Sequence, residues 1–161
     1  MNHMKKIKEK YRGKIIYCTP GSGKTTLVEK HILFVDADVL MKETIEERHP
    51  EFPFLEGMTI QNYIREFTRV HRYKTKINNE VLKKAHKLCD DGLTVLTGTI
   101  KLSKNVDFVF VLKPDNPRLL NRFKTFEVSN NHFAHEINFL TANKVIYRIL
   151  DMDLENEILS N

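Results

Sequence analysis

Apolar residues fall along the chain in five short runs, separated by longer stretches in which apolar and polar residues alternate with a helical period. Ile15-Ile16-Tyr17, the segment His31 to Asp36, Leu93 to Leu96, Asp107 to Leu112 and Val145 to Leu150 each read as a short buried strand. Between them, Lys24 to Lys30 and Val39 to His49 read as helices, the second closing before Pro50. Thr59 is placed to cap a helix with Ile60, Tyr63, Ile64, Phe67 and Val70 on one face. Asn78 or Asn79 is placed to cap the next, whose stripe is Val81, Leu82, Ala85, Leu88 and Cys89, with Gly92 ending it. Asn116-Pro117 reads as N-cap and first residue of a helix running to about Lys124. Ser129 or Asn130 opens another, with Phe133, Ile137 and Leu140 inward, and a short helix begins near Asp153.

Strands alternate with helices, and the strand runs are apolar at successive positions rather than at every second one. That pattern predicts strands buried on both faces, hence an α/β fold with a parallel sheet between two helical layers. A length of 161 residues fits one domain, 1–161, able to bury a core without crosslinks.

Two cysteines, Cys18 and Cys89, make no disulfide framework and point to a reducing, cytoplasmic setting. No run approaches the roughly 20 apolar residues of a membrane span, and the basic segment 1–12 lacks the apolar stretch of a signal peptide. A formal net charge of +5 suits anionic ligands, nucleic acid among them, without singling out DNA.

The first strand runs into Pro20-Gly21-Ser22-Gly23-Lys24-Thr25-Thr26, which resembles a phosphate-binding P-loop. Backbone N–H groups in such a turn form an anion nest, and the following helix start adds partial positive charge. Lys24 would reach the β- and γ-phosphates and the Thr25 hydroxyl would bind Mg²⁺. Gly21 and Gly23 permit close backbone approach. The first glycine of the pattern G-x-x-x-x-G-K-[ST] falls on Cys18, so one fixed position is lost.

Asp36 and Asp38 close the second strand. Ligands of open α/β sheets bind beyond the carboxyl ends of the strands, which brings this pair toward the Gly-rich turn. Phosphoryl transfer needs one group to hold the metal and one to orient the attacking hydroxyl, and two aspartates at i, i+2 can supply both. The plainer alternative is that Asp38 caps a helix beginning near Val39.

Taken in order, G-S-G-K-T, F-V-D-A-D, V-L-T-G-T and D-F-V-F-V-L-K-P-D-N-P-R-L-L-N-R-F resemble the small P-loop kinases, the nucleoside monophosphate, shikimate and polynucleotide kinase group. The resemblance spans nearly the whole chain. It implies a three-layer α/β/α P-loop fold with a five-stranded parallel sheet, order 2-3-1-4-5. It also implies an acceptor-binding helical flap at about 50–91 and a short lid at about 118–130. By the same resemblance Asp36 lies near magnesium and Asp38 on the acceptor hydroxyl, with Gly98 beside the acceptor. Shikimate kinases carry three glycines where this chain has Thr97-Gly98-Thr99, which sets shikimate itself aside. Arg118 and Arg122 occupy the place of the family's lid arginines.

A transferring phosphoryl group spreads negative charge over its oxygens, so placed arginines matter. Arg122 is the first candidate and Arg118 the second; four residues apart, they share a helix face. A solvated pair on an exposed helix is the alternative. In the flap, Arg65 is a candidate acceptor ligand, with Arg69, Arg72, Lys74 and Lys76 nearby. Tyr63 and Phe67 have the spacing to stack on a base, though such a stripe more often lines a core. His132-x-x-His135 lacks the cysteine or carboxylate partners of a zinc site.

The function expected is an ATP- and Mg²⁺-dependent kinase acting on a nucleoside, nucleotide or similar small anionic acceptor. Lys24, Asp36, Asp38 and Arg122 are its catalytic candidates. The turn from Pro20 through Gly21, Ser22, Gly23, Lys24 and Thr25 to Thr26, with Arg118, holds the nucleotide. Asp38, Arg65 and Gly98 meet the acceptor, and Thr25 and Asp36 the magnesium. A polynucleotide 5′-hydroxyl or a modified DNA base is the alternative acceptor. An ATPase, or a nucleotide-binding module without turnover, is the alternative class.

Overall fold

The computed structural model describes residues 5–71 and 75–160. Five parallel strands, β2 (Ile15–Cys18), β3 (Phe34–Asp36), β4 (Thr94–Thr97), β5 (Phe108–Leu112) and β6 (Arg148–Leu150), lie in the order β3-β4-β2-β5-β6. Counted among themselves, that is 2-3-1-4-5, the order expected. Two segments outside the sheet were missed in the sequence. The strand β1 (Lys6–Ile7) pairs antiparallel with β7 (Leu159–Ser160) near the other end of the chain. Residues 5–12 are therefore built into the fold: Ile7 and Tyr11 are buried, and the Tyr11 hydroxyl donates to Glu157 Oε1 at 2.5 Å.

Both sheet faces are apolar because successive strand residues point to opposite sides and both sides are covered. Ile16, Cys18, Phe34, Leu96, Phe110, Leu112 and Leu150 face one layer. It holds α1 (Lys24–Lys30), α5 (Pro117–Phe123), α7 (Leu154–Ile158) and the segment around Tyr11. Ile15 and Val95 face α2 (Ala37–Arg48), α3 (Ile60–Val70) and α4 (Thr75–Asp90). Tyr17, Val109 and Val111 face α6 (Phe126–Ala142). The result is the three-layer α/β/α fold.

Several boundaries differ from the sequence expectation, each for a local reason. The second strand begins at Phe34, because Ile32 and Leu33 occupy a turn and Ile32 is 94% exposed. Helix α2 begins at Ala37, with Asp36 as its N-cap: Asp36 Oδ1 accepts from the Asp38 N–H at 2.9 Å. Asp38 is therefore not the cap. Thr59 caps α3 as expected, accepting from Asn62 N–H at 3.1 Å, but Val70 is exposed. Asn78 and Asn79 lie inside α4 rather than capping it. Helix α6 starts at Phe126 under a Thr125 cap, not at Ser129 or Asn130. Arg72 and Lys74 lie outside the described residues.

The segment expected as the short lid, about 118–130, is mostly helical. Helices α5 and α6 fill it on both sides of a two-residue joint, Lys124-Thr125, with Lys124 at φ 72°. Whatever covers the site from this side is a helix face.

Candidate functional site

Strand register sets the site. Asp36 pairs with Leu96 and Tyr17 with Thr97, so the carboxyl ends of β3, β4 and β2 finish within two residues of one another. The Gly-rich turn leaves β2 there. The Ser22 N–H donates to Thr19 O at 3.1 Å, and Gly21 and Gly23 adopt φ of 89° and 99°, in the left-handed region where a side chain is strained.

Two arginines of α5 lie across this turn. A Cβ built on Gly21 would sit 2.6 Å from Arg122 Cδ, and one on Gly23 would sit 3.2 Å from Arg118 Cζ. The glycines thus make room for guanidinium groups against the backbone. Both arginines face the turn, as their spacing predicts. Arg118 is steadied by Asp153, 3.5 Å from its Nε.

Lys24 points from the turn toward the end of β3. Its Nζ donates to Asp36 Oδ1 at 3.0 Å and to Asp38 Oδ2 at 3.1 Å. Burial alone would lower its pKa, but the charges of Asp38 and Asp36 outweigh burial and hold the ammonium above its ordinary value. Gly98 leaves space at the lysine tip: a Cβ there would lie 3.8 Å from Lys24 Nζ and 3.5 Å from Pro20 Cγ.

These groups line one cleft of about 320 Å³, whose walls include Lys24, Thr25, Asp38, Gly98, Arg118 and Arg122. Asp36 is beneath it, buried and engaged as N-cap, rather than on its wall. The two aspartates are therefore not equivalent. Asp36 holds Lys24 and orders the start of α2, while Asp38 meets the open space. Asp38 and Gln61 also line a second, open groove along α3, about 560 Å³, with Ile64, Arg65, Thr68 and Arg69. Arg69 is engaged with Glu66 at 2.6 Å.

Tyr63 and Phe67 do not face this groove. Both are fully buried, and the Tyr63 hydroxyl donates to Phe52 O at 2.5 Å. Base stacking on them is thereby ruled out in this arrangement. Cys18, in place of the pattern's first glycine, is buried at the end of β2 with its thiol 3.8 Å from Thr97 O. Burial pushes that thiol up to about 11, so it stays protonated and unreactive.

Sequence reasoning missed three groups. Gln61 and Thr99 line the cleft; only their places beside the Thr59 cap and Gly98 hinted at it. Glu136, 2% exposed, accepts from the Tyr17 hydroxyl and from Thr19 Oγ1 at 3.2 Å, directly under the turn. Burial raises it to about 7, against the lowering effect of those hydrogen bonds. His132 stands 3.9 Å from Glu136 and packs on Phe123, so it serves this network rather than a metal pair with the exposed His135.

No known protein-family profile matches the chain, and no curated protein matches it. Among solved structures, the dephospho-CoA kinase from Campylobacter jejuni is similar at 12% identity, with a TM-score of 0.41, over 89% of this chain and 91% of that one. A likeness that distant carries nothing about activity. Among the described residues, no helix is long and apolar enough to cross a membrane.

Proposed function

We propose that the chain is an ATP-dependent phosphotransferase whose acceptor is nucleotide-like. The observation that carries this reading is a single cleft. It joins a Gly-rich turn and its lysine, two arginines across that turn, and an aspartate opening onto a second groove. A donor site and an acceptor site that meet at a carboxylate are what phosphoryl transfer requires.

The residues present fit a nucleoside triphosphate. Gly21 and Gly23 keep the turn free of Cβ atoms, and Lys24, Arg118 and Arg122 supply three positive charges around it. Lys24, held by the aspartates in this structure, is the group to turn toward the phosphates on binding. Arg122 and Arg118 neutralise charge on the transferring group. Thr25, on the cleft wall, would hold Mg²⁺, with Asp36 beneath that wall as its outer partner, and the ion would neutralise phosphate charge when bound. Asp38 orients the acceptor hydroxyl and takes its proton. Arg65, and Gly98 by the space it leaves, act on the acceptor side.

One observation favours a second acceptor. The groove along α3 is open and runs from Asp38 past Arg65 to Arg69. That shape suits an extended phosphodiester chain as well as a mononucleotide. Incubation with γ-labelled ATP and a panel of nucleosides, nucleotides and 5′-hydroxyl oligonucleotides separates the two. Label on a mononucleotide supports the first, and label confined to oligonucleotides supports the second. Phosphate release with no labelled acceptor would replace both with an ATPase.

A further inference from the structure

Far from the cleft, at the opposite ends of α2 and α3, His49, Glu51 and His71 come together with one ligand atom each, all within 4.8 Å of one another. His49 is the C-cap of α2 and His71 the C-cap of α3. His49 Nδ1 lies 2.9 Å from Glu51 Oε1, and the two imidazole rings are 4.8 Å apart, centroid to centroid. The rings are not loose on the surface. His71 stacks on the buried Phe67 at 4.5 Å, and His49 packs against the same ring at 5.0 Å.

We infer that these three residues form a transition-metal site, with Zn²⁺ as the ion their chemistry suits best. Two imidazole nitrogens and one carboxylate are a borderline donor set, matched to zinc, cobalt or nickel rather than to magnesium or calcium, which take oxygen. Donors on a tetrahedral zinc at about 2.0–2.2 Å stand roughly 3.3–3.6 Å apart. The His49–Glu51 pair is already closer than that, and small side-chain rotations bring in His71. Glu51 is two-thirds exposed, which leaves the fourth position to water.

The site's place in the fold makes it a staple, not part of the chemistry. Helix α2 has 12 residues and so spans about 18 Å, which separates His49 from Asp36 and Asp38 by nearly the full helix. A metal here ties the far ends of the two helices whose near ends carry Asp38 and Gln61. It closes the loop 49–71 and holds the groove wall that Arg65 belongs to. The inference is independent of the proposed kinase activity.

The test uses tag-free, chelator-treated full-length protein titrated with Zn²⁺ by calorimetry, and with Co²⁺ by visible absorption. Mg²⁺ serves as a control. One Zn²⁺ per chain is expected, with a rise in melting temperature that Mg²⁺ does not reproduce. The Co²⁺ spectrum should lack a thiolate charge-transfer band, which excludes Cys18 and Cys89 as ligands. His49→Ala and His71→Ala should each weaken Zn²⁺ by at least about tenfold, the scale seen for losing even an outer partner of a metal ligand. Glu51→Gln, on an exposed side chain that cannot unfold the protein, should also weaken it. No Zn²⁺ binding by the native protein, a thiolate band, or affinity unchanged in any one of these variants would overturn the site.

Discussion

The ammonium of Lys24 lies 3.1 Å from Asp38 Oδ2, across the gap between the Gly-rich turn and the start of α2. The same nitrogen is 3.0 Å from Asp36 Oδ1, yet only Asp38 reaches the cleft. This asymmetry gives the two aspartates separable roles. Asp38→Asn should lower kcat by about 10²-fold or more, the scale of general-base loss, with KM for ATP nearly unchanged. Asp36→Asn keeps a capping side chain and leaves the cleft wall unchanged, so it should lower kcat far less than Asp38→Asn. Steady-state kinetics of the two variants decide this. Equal effects on both parameters in both variants would remove the distinction.

Gly21 and Arg122 are coupled through space. A Cβ on Gly21 would lie 2.6 Å from Arg122 Cδ, on a backbone at φ 89°. Gly21→Ala should cost about 1–2 kcal/mol of folding stability from the left-handed backbone alone. It should also weaken ATP binding by displacing Arg122. In an Arg122→Ala background the binding penalty should shrink, because the displaced group is already gone. Nucleotide titrations on the four proteins of that cycle measure the coupling; strict additivity would show the contact to be without consequence.

Glu136 predicts a pH signature. Its folded value is about 7 against an ordinary 4.5, so between those limits the folded state holds more protons than the unfolded chain. Its contribution is fully present below 4.5 and is lost as pH rises through 7, by up to about 3 kcal/mol in total. Glu136→Gln, uncharged throughout, removes that slope. Urea unfolding at pH 5 and pH 8 should therefore show the variant gaining on the native protein as pH rises. Parallel profiles would mean that Glu136 is not protonated beneath the turn.

Core and edge positions should respond in opposite ways. Ile16 is fully buried on the central strand β2, and Ile16→Ala should cost about 2–5 kcal/mol. Ile32, 94% exposed, should tolerate Ile32→Ser within about 0.5 kcal/mol. Chemical denaturation checks both, and a large loss at Ile32 would mean that the turn before β3 is covered.

The five strands of the main sheet, their parallel direction and the Gly-rich turn were legible because they rest on local pattern: apolar runs, a turn with two glycines, and Pro117 after an Asn cap; the strand order came from the family resemblance. Ile32 misled because hydrophobicity alone cannot tell a strand residue from an apolar residue in a turn. The capping alternative fell on Asp38 rather than Asp36 because both are good caps, and only backbone direction selects one. The missed β1–β7 pairing joins residues more than 150 positions apart, beyond any local signal. Glu136 escaped notice for a similar reason: on α6 it reads as one polar residue among many, and its burial comes from Tyr17 and Thr19, far off in sequence. The start of α6 was a matter of caps, since Thr125 opens the helix earlier than Ser129 would.

The central claim is that this cleft moves a phosphoryl group from ATP to an acceptor. Its most direct measurement is label transfer from γ-labelled ATP to the acceptor panel, run with native protein and with Lys24→Ala. The account predicts labelled acceptor with the native protein and none above background with the variant. Label transferred equally by both proteins, or no labelled acceptor from the native protein at any nucleotide concentration, would contradict it.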